Sequence, residues 1–272
     1  MIPYATFSRR LFLAELGRGT VALAVVSIAG CAPAGSGPSG GTGSSSPGTS
    51  AAATGGSPGA SAAQSAAPSG ASAGAGGAGV TWERVDLGFV SAYVLARGGE
   101  AAIVDTGTDG SEGDIAAALE RLGLGWDAVG HVIVTHRHSD HIGGLGRVLQ
   151  AVPEATGYAG AEDIPVIPSP KSLVTAADGD DVFGLTIIAT PGHTPGHISV
   201  LDKVAGVLVA GDALGTNAGQ VTGPNPEFTA DMDTALESVT KLGTFTFETL
   251  LVGHGDPIVS GASDLVAAFK PG

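Results

Sequence analysis

The chain has a single cysteine, Cys31, among 272 residues, and this scarcity excludes an intramolecular disulfide framework. Basic residues are also few, because 12 Lys and Arg stand against 26 Asp and Glu. Residues 80–272 hold 9 of the basic and 25 of the acidic side chains, which gives this part of the chain a net charge of −16. Such an excess of negative charge disfavours a nucleic-acid partner.

Charged residues are absent from residues 32–79, and so are apolar side chains larger than alanine. The stretch consists almost wholly of Gly, Ala, Ser, Pro and Thr, so it has nothing to bury that would offset the entropy lost on ordering. We therefore predict a disordered Gly/Ala/Ser/Pro linker. A cell-wall spacer and a plain flexible linker both fit this composition.

Residues 1–31 have the layout of an export signal. Arg9 and Arg10 precede an apolar run at residues 19–30, which is too short to span a bilayer comfortably as a mature helix. The arginine pair lies in a stretch that resembles the twin-arginine export motif, although an ordinary basic region also fits. The run ends before Cys31, which resembles the lipid-accepting cysteine of a bacterial lipobox. The expectation is a signal peptide at 1–31 and an extracytoplasmic domain, lipid-anchored to the outer face of the bacterial cell membrane.

One short stretch holds three imidazoles and a carboxylate within six residues. His136, His138, Asp140 and His141 follow the apolar, β-branched run Val132–Val134, which predicts a buried strand. Imidazole and carboxylate are the ligands that Zn²⁺ and related divalent ions select, and a loop that leaves a strand end has the freedom to aim several side chains inward. The alternative is a polar turn that is rich in histidine by chance. Four donors packed this densely favour the metal site.

Three further donors repeat the order of strand, turn and polar residue. Each follows an apolar run and a glycine or proline: His193 comes after residues 185–189, Asp212 after 207–210 and His254 after 249–252. Strands of one sheet end at a common edge, so such loops can meet at one point although they are remote in sequence.

The rest of residues 80–272 fits one α/β core. Further strands are predicted at 82–87, 92–97, 101–104 and 129–134, with a turn at Gly98-Gly99. Four helices are predicted. The first follows a capping box formed by Ser111 and Asp114, and the second has Gly143-Gly144 at its start and an apolar face of Ile142, Leu145, Leu149 and Val152. The third runs from Met232 to Leu242 and is capped by Asp231 or Thr229, and the fourth lies at about 261–269.

The ordered set of donors resembles the metallo-β-lactamase superfamily in its dinuclear hydrolase form, over essentially all of residues 80–272. The resemblance implies an α/β protein of the αββα sandwich type, with the site at the strand ends between two sheets. It also implies one metal held by His136, His138 and His193, a second held by Asp140, His141 and His254, and Asp212 as the bridge between them.

The chemistry follows from this ligand set. Imidazoles and carboxylates without cysteine suit Zn²⁺ best, while Mn²⁺ and iron remain open. Two close cations lower the pKa of a shared water, so a bridging hydroxide is available near neutrality without a Ser or Cys nucleophile. Asp140 is placed to orient this hydroxide and to move its proton to the leaving group. The expected activity is hydrolysis of an ester, thioester, lactone or amide bond of a small molecule.

Several alternatives remain at this point. A mononuclear iron sulfur dioxygenase shares much of the ligand set, and a surface lipoprotein that binds metal without turnover is the non-enzymatic alternative. A glyoxalase II role is disfavoured, because the 18 residues after His254 leave no room for the helical domain of that family. The Asp212 bridge disfavours a true β-lactamase, and the export signal and acidic surface disfavour an RNA-processing nuclease. The oligomeric state stays open.

Four polar residues near the motifs receive no ligand role. His131 and His197 are expected to satisfy ordinary hydrogen bonds, and Asp256 is expected to be a turn residue. Asp105 fits either a carboxylate that orients a ligand histidine or an ordinary turn aspartate.

Overall fold

The computed structural model describes residues 78–271. The predicted signal peptide, with Arg9, Arg10 and Cys31, and all but the last two residues of the predicted linker lie outside this range. Within it, no helix combines the length and the apolar character needed to cross a membrane.

Thirteen strands are present in residues 78–271 and form two large sheets and a small hairpin. In chain order they are β1 Thr81–Asp86, β2 Ser91–Arg97, β3 Glu100–Val104, β4 Val129–Ile133, β5 Thr156–Ala159, β6 Val174–Thr175, β7 Asp181–Val182, β8 Leu185–Ala189, β9 Ile198–Asp202, β10 Val207–Gly211, β11 Gly215–Asn217, β12 Gln220–Thr222 and β13 Thr249–Val252. The first sheet has the order β1-β2-β3-β4-β5-β6, the second β13-β10-β9-β8-β7, and β11 pairs with β12.

Five α-helices cover the sheets: α1 Glu112–Arg121, α2 Ser139–Ile142, α3 Leu145–Ala151, α4 Met232–Leu242 and α5 Ala262–Ala268. Short 3-10 turns lie at Trp126–Ala128 and Ile164–Val166.

Three apolar layers hold these elements together. Along β2, Val94 packs outward in a cluster with α1 and α3, whereas Tyr93 and Leu95 pack inward in a cluster with the second sheet, as the two-residue period of a strand requires. A third cluster joins the outer face of the second sheet to α4 and α5. The order of layers is helix, sheet, sheet, helix, which confirms the predicted αββα sandwich.

Parallel pairing brings the loops after four strands to one end of the sandwich. Strands β3 and β4 run parallel in the first sheet, and β10 and β13 run parallel in the second. Parallel strands deliver their carboxyl ends to the same edge. The residues that follow these strands, which include most of the predicted metal donors, therefore share one region.

Two local predictions need correction. The capping box at Ser111 does not form, because the Ser111 hydroxyl donates instead to the carbonyl of Thr108 at 2.8 Å and makes no cap to the helix. Gly143 and Gly144 do lie at the start of α3, whose N-cap is Gly144, but Ile142 belongs to the preceding helix α2 and not to the same helix. Their predicted role in close packing does hold, since a Cβ on Gly144 would overlap the carbonyl oxygen of Thr106.

The cap of α4 agrees with the sequence. The carboxylate of Asp231 accepts a hydrogen bond from the N–H of Thr234 at 3.1 Å, and Gly243 follows the last helical residue. The N-terminal end of this helix lies beside the loop of His193, because the N–H of Asp231 donates to the carbonyl of Gly192 at 2.9 Å.

Candidate metal centre

Seven side chains that were predicted as metal ligands converge at the carboxyl ends of the strands. They form two groups of potential ligands, His136, His138, His193 and Asp212 in one, and Asp140, His141 and His254 in the other. His136 and His138 lie in the loop after β4, while Asp140 and His141 lie in α2. The other three follow β8, β10 and β13.

The first group is compact. Nε2 of His136 and Nε2 of His193 lie 3.0 Å and 2.9 Å from Nδ1 of His138. Oδ2 of Asp212 lies 3.4 Å from Nε2 of His193. Three nitrogen atoms and one oxygen atom thus point at a common centre, as four ligands of one metal ion do.

Asp212 also belongs to the surroundings of the second group. Its Oδ1 lies 3.3 Å from Nε2 of His141, and its Oδ2 lies 3.2 Å from Nε2 of His254. Oδ2 of Asp140 lies 3.3 Å from the same His254 atom. One carboxylate therefore stands between the two groups of donors.

Hydroxyl groups fix the tautomers of two histidines of the first group. The Thr135 hydroxyl gives its proton to Asp105, so it accepts from Nδ1 of His136 at 3.1 Å. The Thr229 hydroxyl gives its proton to the carbonyl of Asn225, so it accepts from Nδ1 of His193 at 3.1 Å. Both rings then direct the lone pair of Nε2 at the centre, the form that binds metal.

In the second group, acceptors that carry no proton fix the tautomers of the two histidines. Nδ1 of His141 donates to the Asp105 carboxylate at 2.8 Å, and Nδ1 of His254 donates to the carbonyl of Phe89 at 2.6 Å. The Nε2 atoms again face inward. Outer partners of this kind orient histidine ligands and raise their basicity.

Two inward atoms, Nε2 of His141 and Oδ1 of Asp212, are buried and have no hydrogen-bond partner among residues 78–271. Buried polar atoms are normally satisfied, and a cation between these two would satisfy both. Gly253 keeps the space open, because a Cβ there would overlap Oδ1 of Asp212. The donor set therefore fits divalent metal.

Burial controls the charge of the first group. It lowers the pKa of His136 well below the usual value and that of His193 to about 4, so both imidazoles are neutral at physiological pH. Neutral imidazoles bind metal without first losing a proton.

In the second group, carboxylates raise the pKa of the histidines, whereas burial lowers it in the first group. Hydrogen bonds to Asp140 and Asp212 raise the pKa of His254 to about 10. Burial opposes charge on His141, yet Asp212 and Asp105 raise its pKa well above the usual value. The hydrogen bond from His254 lowers the pKa of Asp140. In the metal-free protein the carboxylates thus favour the protonated forms of His141 and His254, so protons compete with divalent cations at these two residues.

Comparison with known proteins assigns the family. The sequence model of the metallo-beta-lactamase superfamily matches residues 85–254. The chain belongs to this superfamily. It is 31% identical over 198 residues to the uncharacterized protein YobT of Bacillus subtilis strain 168, over 61% of this chain and 83% of that protein. It is 35% identical over 200 residues to the probable metallo-hydrolase YflN of the same organism, over 57% of this chain and 75% of that protein.

Other members of the superfamily match over shorter parts. A hydroxyacylglutathione hydrolase of Dechloromonas aromatica is 33% identical over 168 residues, which are 58% of each chain, and one of Synechococcus is 38% identical over 45% of its length. The chain thus spans about half the length of these two relatives. The prediction of a metallo-hydrolase of this superfamily is confirmed.

Solved structures of the superfamily share the fold. A metallo-beta-lactamase family protein of Thermus thermophilus superposes with a TM-score of 0.56 and 25% identity, over 70% of this chain and 77% of that one. The protein TTHA1623, described in a di-iron-bound form, gives a TM-score of 0.55 at 24% identity, over 67% of this chain and 94% of that one.

Two residues without a predicted ligand role lie directly behind the proposed ligands. Asp105 occupies the orienting position, because its carboxylate contacts both Thr135 and His141. His197 is buried and accepts a hydrogen bond from the N–H of Asp212 at 3.0 Å. The default reading of His197 as a hydrogen-bonding residue is right, but its partner is the backbone of a proposed ligand.

Sequence reasoning missed Asp163 altogether. Its carboxylate is fully buried and accepts from the N–H of Arg137, the hydroxyl of Thr194 and the N–H of Gly196. These donors belong to two ligand loops, so Asp163 ties the loops together. No periodicity or motif marks it, since it lies in an irregular segment before a 3-10 turn.

The other two residues without a predicted ligand role, His131 and Asp256, belong to neither group of donors, and Nδ1 of His131 has no hydrogen-bond partner among residues 78–271. The ring of His131 contacts Tyr158 and Phe183, with centroids 5.9 Å and 5.4 Å away. Asp256 forms an exposed ion pair with Arg84 at 2.9 Å.

Proposed function

We propose that this domain is a two-metal hydrolase that cleaves an ester, thioester, lactone or amide bond of a small molecule. The observation that carries the proposal is the position of Asp212 between two groups of inward-facing donors. Its oxygen atoms lie within 3.4 Å of His141, His193 and His254. A shared carboxylate is the feature that distinguishes a pair of metal sites from two unrelated ones.

The residues divide into two sets of ligands. One ion would be held by His136, His138 and His193, and the other by Asp140, His141 and His254. Asp212 would bind both ions. When bound, two divalent ions supply an activated water near neutral pH and polarise the acyl oxygen of the substrate. Zn²⁺ suits these ligands best, with Mn²⁺ and iron as the alternatives.

Asp140 is the proposed proton carrier. Its side chain is about one-quarter exposed, in contrast to the fully buried His136 and His141. In the metal-free protein the hydrogen bond from His254 lowers the pKa of Asp140, which favours the carboxylate form that metal binding also requires. From this position it accepts a proton from the attacking water and returns it to the leaving group.

The relatives support acyl chemistry. Hydroxyacylglutathione hydrolases cleave a thioester, and two of them match this chain at 33% and 38% identity. The match covers about half of each relative, so it supports hydrolysis of an acyl bond as the reaction class. The leaving group has to be identified by experiment.

Metal analysis and a substrate panel test the proposal together. The purified protein is expected to contain two metal ions per chain and to hydrolyse at least one of a lactone, a thioester, an ester and a β-lactam, whereas the His136→Ala variant does not. A single iron ion with oxygen uptake on a persulfide would instead identify a sulfur dioxygenase. Inactivity on every substrate with both ions bound would favour a metal-binding surface protein.

We also propose that the domain acts outside the cytoplasm, lipid-anchored through Cys31 at the outer face of the bacterial cell membrane. The support is the order of Arg9-Arg10, apolar run and cysteine in residues 1–31. Replacement of both arginines by lysine is expected to abolish export, and Cys31→Ser to abolish incorporation of labelled lipid. Normal export of the lysine variant would contradict the twin-arginine route.

A further inference from the structure

Cationic side chains in residues 78–271 are almost all engaged. Each of the five arginines pairs with a carboxylate. Lys241 pairs with Asp178, and Lys171 donates to the carbonyl of Pro153 at 3.0 Å. Few positive groups therefore remain for a substrate.

Arg137 is the cation closest in sequence to the proposed ligands, but its side chain is engaged by a carboxylate of the protein. Its Nη1 lies 3.5 Å from Oδ1 of the buried Asp163, and its side chain is one-third exposed. The carboxylate of Asp163 offsets part of the positive charge of Arg137 and so weakens its attraction for a second anion.

The two remaining lysines lie at the other end of the domain. Lys203 follows β9, a strand that begins beside the ligand loop and runs away from it for five residues, roughly 16 Å. Lys270 lies beside Gly243, at the C-terminal end of α4, while the N-terminal end of that helix contacts the loop of His193.

Two exposed phenylalanines, Phe89 and Phe228, lie close in the structure or in the sequence to residues of the proposed metal centre. The ring of Phe89 stacks on His254 with centroids 6.3 Å apart, and its side chain is 64% exposed. Phe228 is 59% exposed and directly precedes Thr229, whose hydroxyl contacts His193. Phe89 thus contacts His254 of the second group, and Phe228 is one residue away from the contact between Thr229 and His193 of the first.

Negative charge also surrounds the centre. Asp140 and Asp212 contribute two carboxylates and Asp105 a third behind His141, so they would offset three of the four positive charges of two divalent ions. The whole domain carries a net charge of −16 in residues 80–272. An anionic substrate would therefore meet little attraction near the centre and repulsion farther out.

We infer that, if the proposed hydrolase activity holds, the substrate is an uncharged carboxylic-acid derivative with an apolar acyl group. The acyl group lies against Phe89 and Phe228, and each arginine among residues 78–271 already pairs with a carboxylate of the protein. Burial of an unpaired carboxylate beside these rings would be costly.

A matched pair of esters tests this inference. The full-length, metal-loaded protein is assayed with p-nitrophenyl butyrate and with mono-p-nitrophenyl succinate. The acyl group of the butyrate ends in a methyl group, and that of the succinate ends in a carboxylate at the same position. After correction for spontaneous hydrolysis, kcat/KM is expected to be about 10- to 100-fold higher for the butyrate. The Phe228→Lys and Phe89→Lys variants are each expected to reduce this preference, because they supply the missing cation.

The control is Val204→Lys, which adds the same charge at a residue 63% exposed in the distant turn between β9 and β10. This variant is expected to keep the preference of the parent. Equal or faster turnover of the succinate would overturn the inference and leave the hydrolase proposal standing. Failure of the metal-loaded protein to cleave any neutral ester, thioester or lactone would overturn both.

Discussion

The backbone N–H of Asp212 donates a hydrogen bond to Nε2 of His197, over 3.0 Å. The imidazole is buried, which lowers its pKa to about 3, so it is neutral and carries its proton on Nδ1. That proton goes to the hydroxyl of Thr190 at 2.8 Å. Thr190 contacts Ser199 at 3.0 Å, and Ser199 donates to the carbonyl of Ala210. The direction of every hydrogen bond is therefore fixed, and the chain of bonds runs from the backbone N–H of Asp212, the proposed bridging ligand, to the carbonyl of Ala210.

The first prediction concerns this contact. His197→Phe keeps a buried ring but removes the acceptor, so the N–H of Asp212 loses its partner and the carboxylate loses its fixed position. We expect metal affinity to fall about 10- to 100-fold. His197→Gln, whose amide oxygen restores an acceptor, is expected to recover most of the affinity. Metal content after dialysis against a graded chelator gives the measurement. His131→Phe is the control, and a His197→Phe variant that binds metal like the parent would refute the role.

Asp105 gives a second prediction, because it joins β3 to the ligands. It adopts a left-handed backbone with φ 62° and accepts hydrogen bonds from Thr135 and His141. Asp105→Asn tolerates this backbone, but its NH₂ group must face one of these donors. We expect a loss of about 10- to 100-fold in metal affinity, measured by competition with a chelator, with the folded state retained by circular dichroism. Asp256→Asn, at an 89% exposed side chain, is expected to bind metal normally.

The convergence of the candidate ligands was predictable because most of them follow a strand. An apolar run followed by glycine or proline and a donor is visible in the sequence around His193, Asp212 and His254. Strands β8, β10 and β13 run in the same direction within the second sheet, which places their loops at one end. The roles of His197 and Asp163 were not predictable in this way. Both depend on which loops meet in space, and neither residue lies in a pattern that records its partner. The failed capping box at Ser111 has the same cause, since its hydroxyl bonds to the turn before α1.

Asp163 gives a third prediction, this time on stability. Asp163→Ala would leave the N–H groups of Arg137 and Gly196 and the hydroxyl of Thr194 without their buried acceptor. Loss of one partner of a buried charged network costs about 3 kcal/mol or more, so the midpoint of urea unfolding is expected to fall. Asp109→Ala, which removes an exposed ion pair with Arg147, is expected to cost less than about 1 kcal/mol. Equal effects of the two substitutions would argue against a tie between the ligand loops.

Gly253 gives a fourth prediction, on space inside the centre. A Cβ at this position would overlap Oδ1 of Asp212 and lie 2.6 Å from Cε1 of His141. Gly253→Ala is therefore expected to displace both side chains and to reduce bound metal below one ion per chain, as measured by elemental analysis. Gly130→Ala is a matched control in β4, because a Cβ there meets nothing within 4 Å. Two bound ions in Gly253→Ala would show that the carboxylate can move without loss of its function.

The last prediction concerns pH in the metal-free protein. The folded-state pKa of His254 is raised to about 10, against about 6.5 in the unfolded chain. The folded state then binds the extra proton, so this stabilisation is complete below pH 6.5 and disappears as the pH rises through about 10. We expect the difference in free energy of unfolding between the parent and His254→Asn, both treated with chelator, to shrink over that interval. Metal affinity is expected to rise over the same interval, because fewer protons compete for His254. A difference between parent and variant that stays constant from pH 6 to pH 10 would show that His254 is not protonated between its two carboxylates.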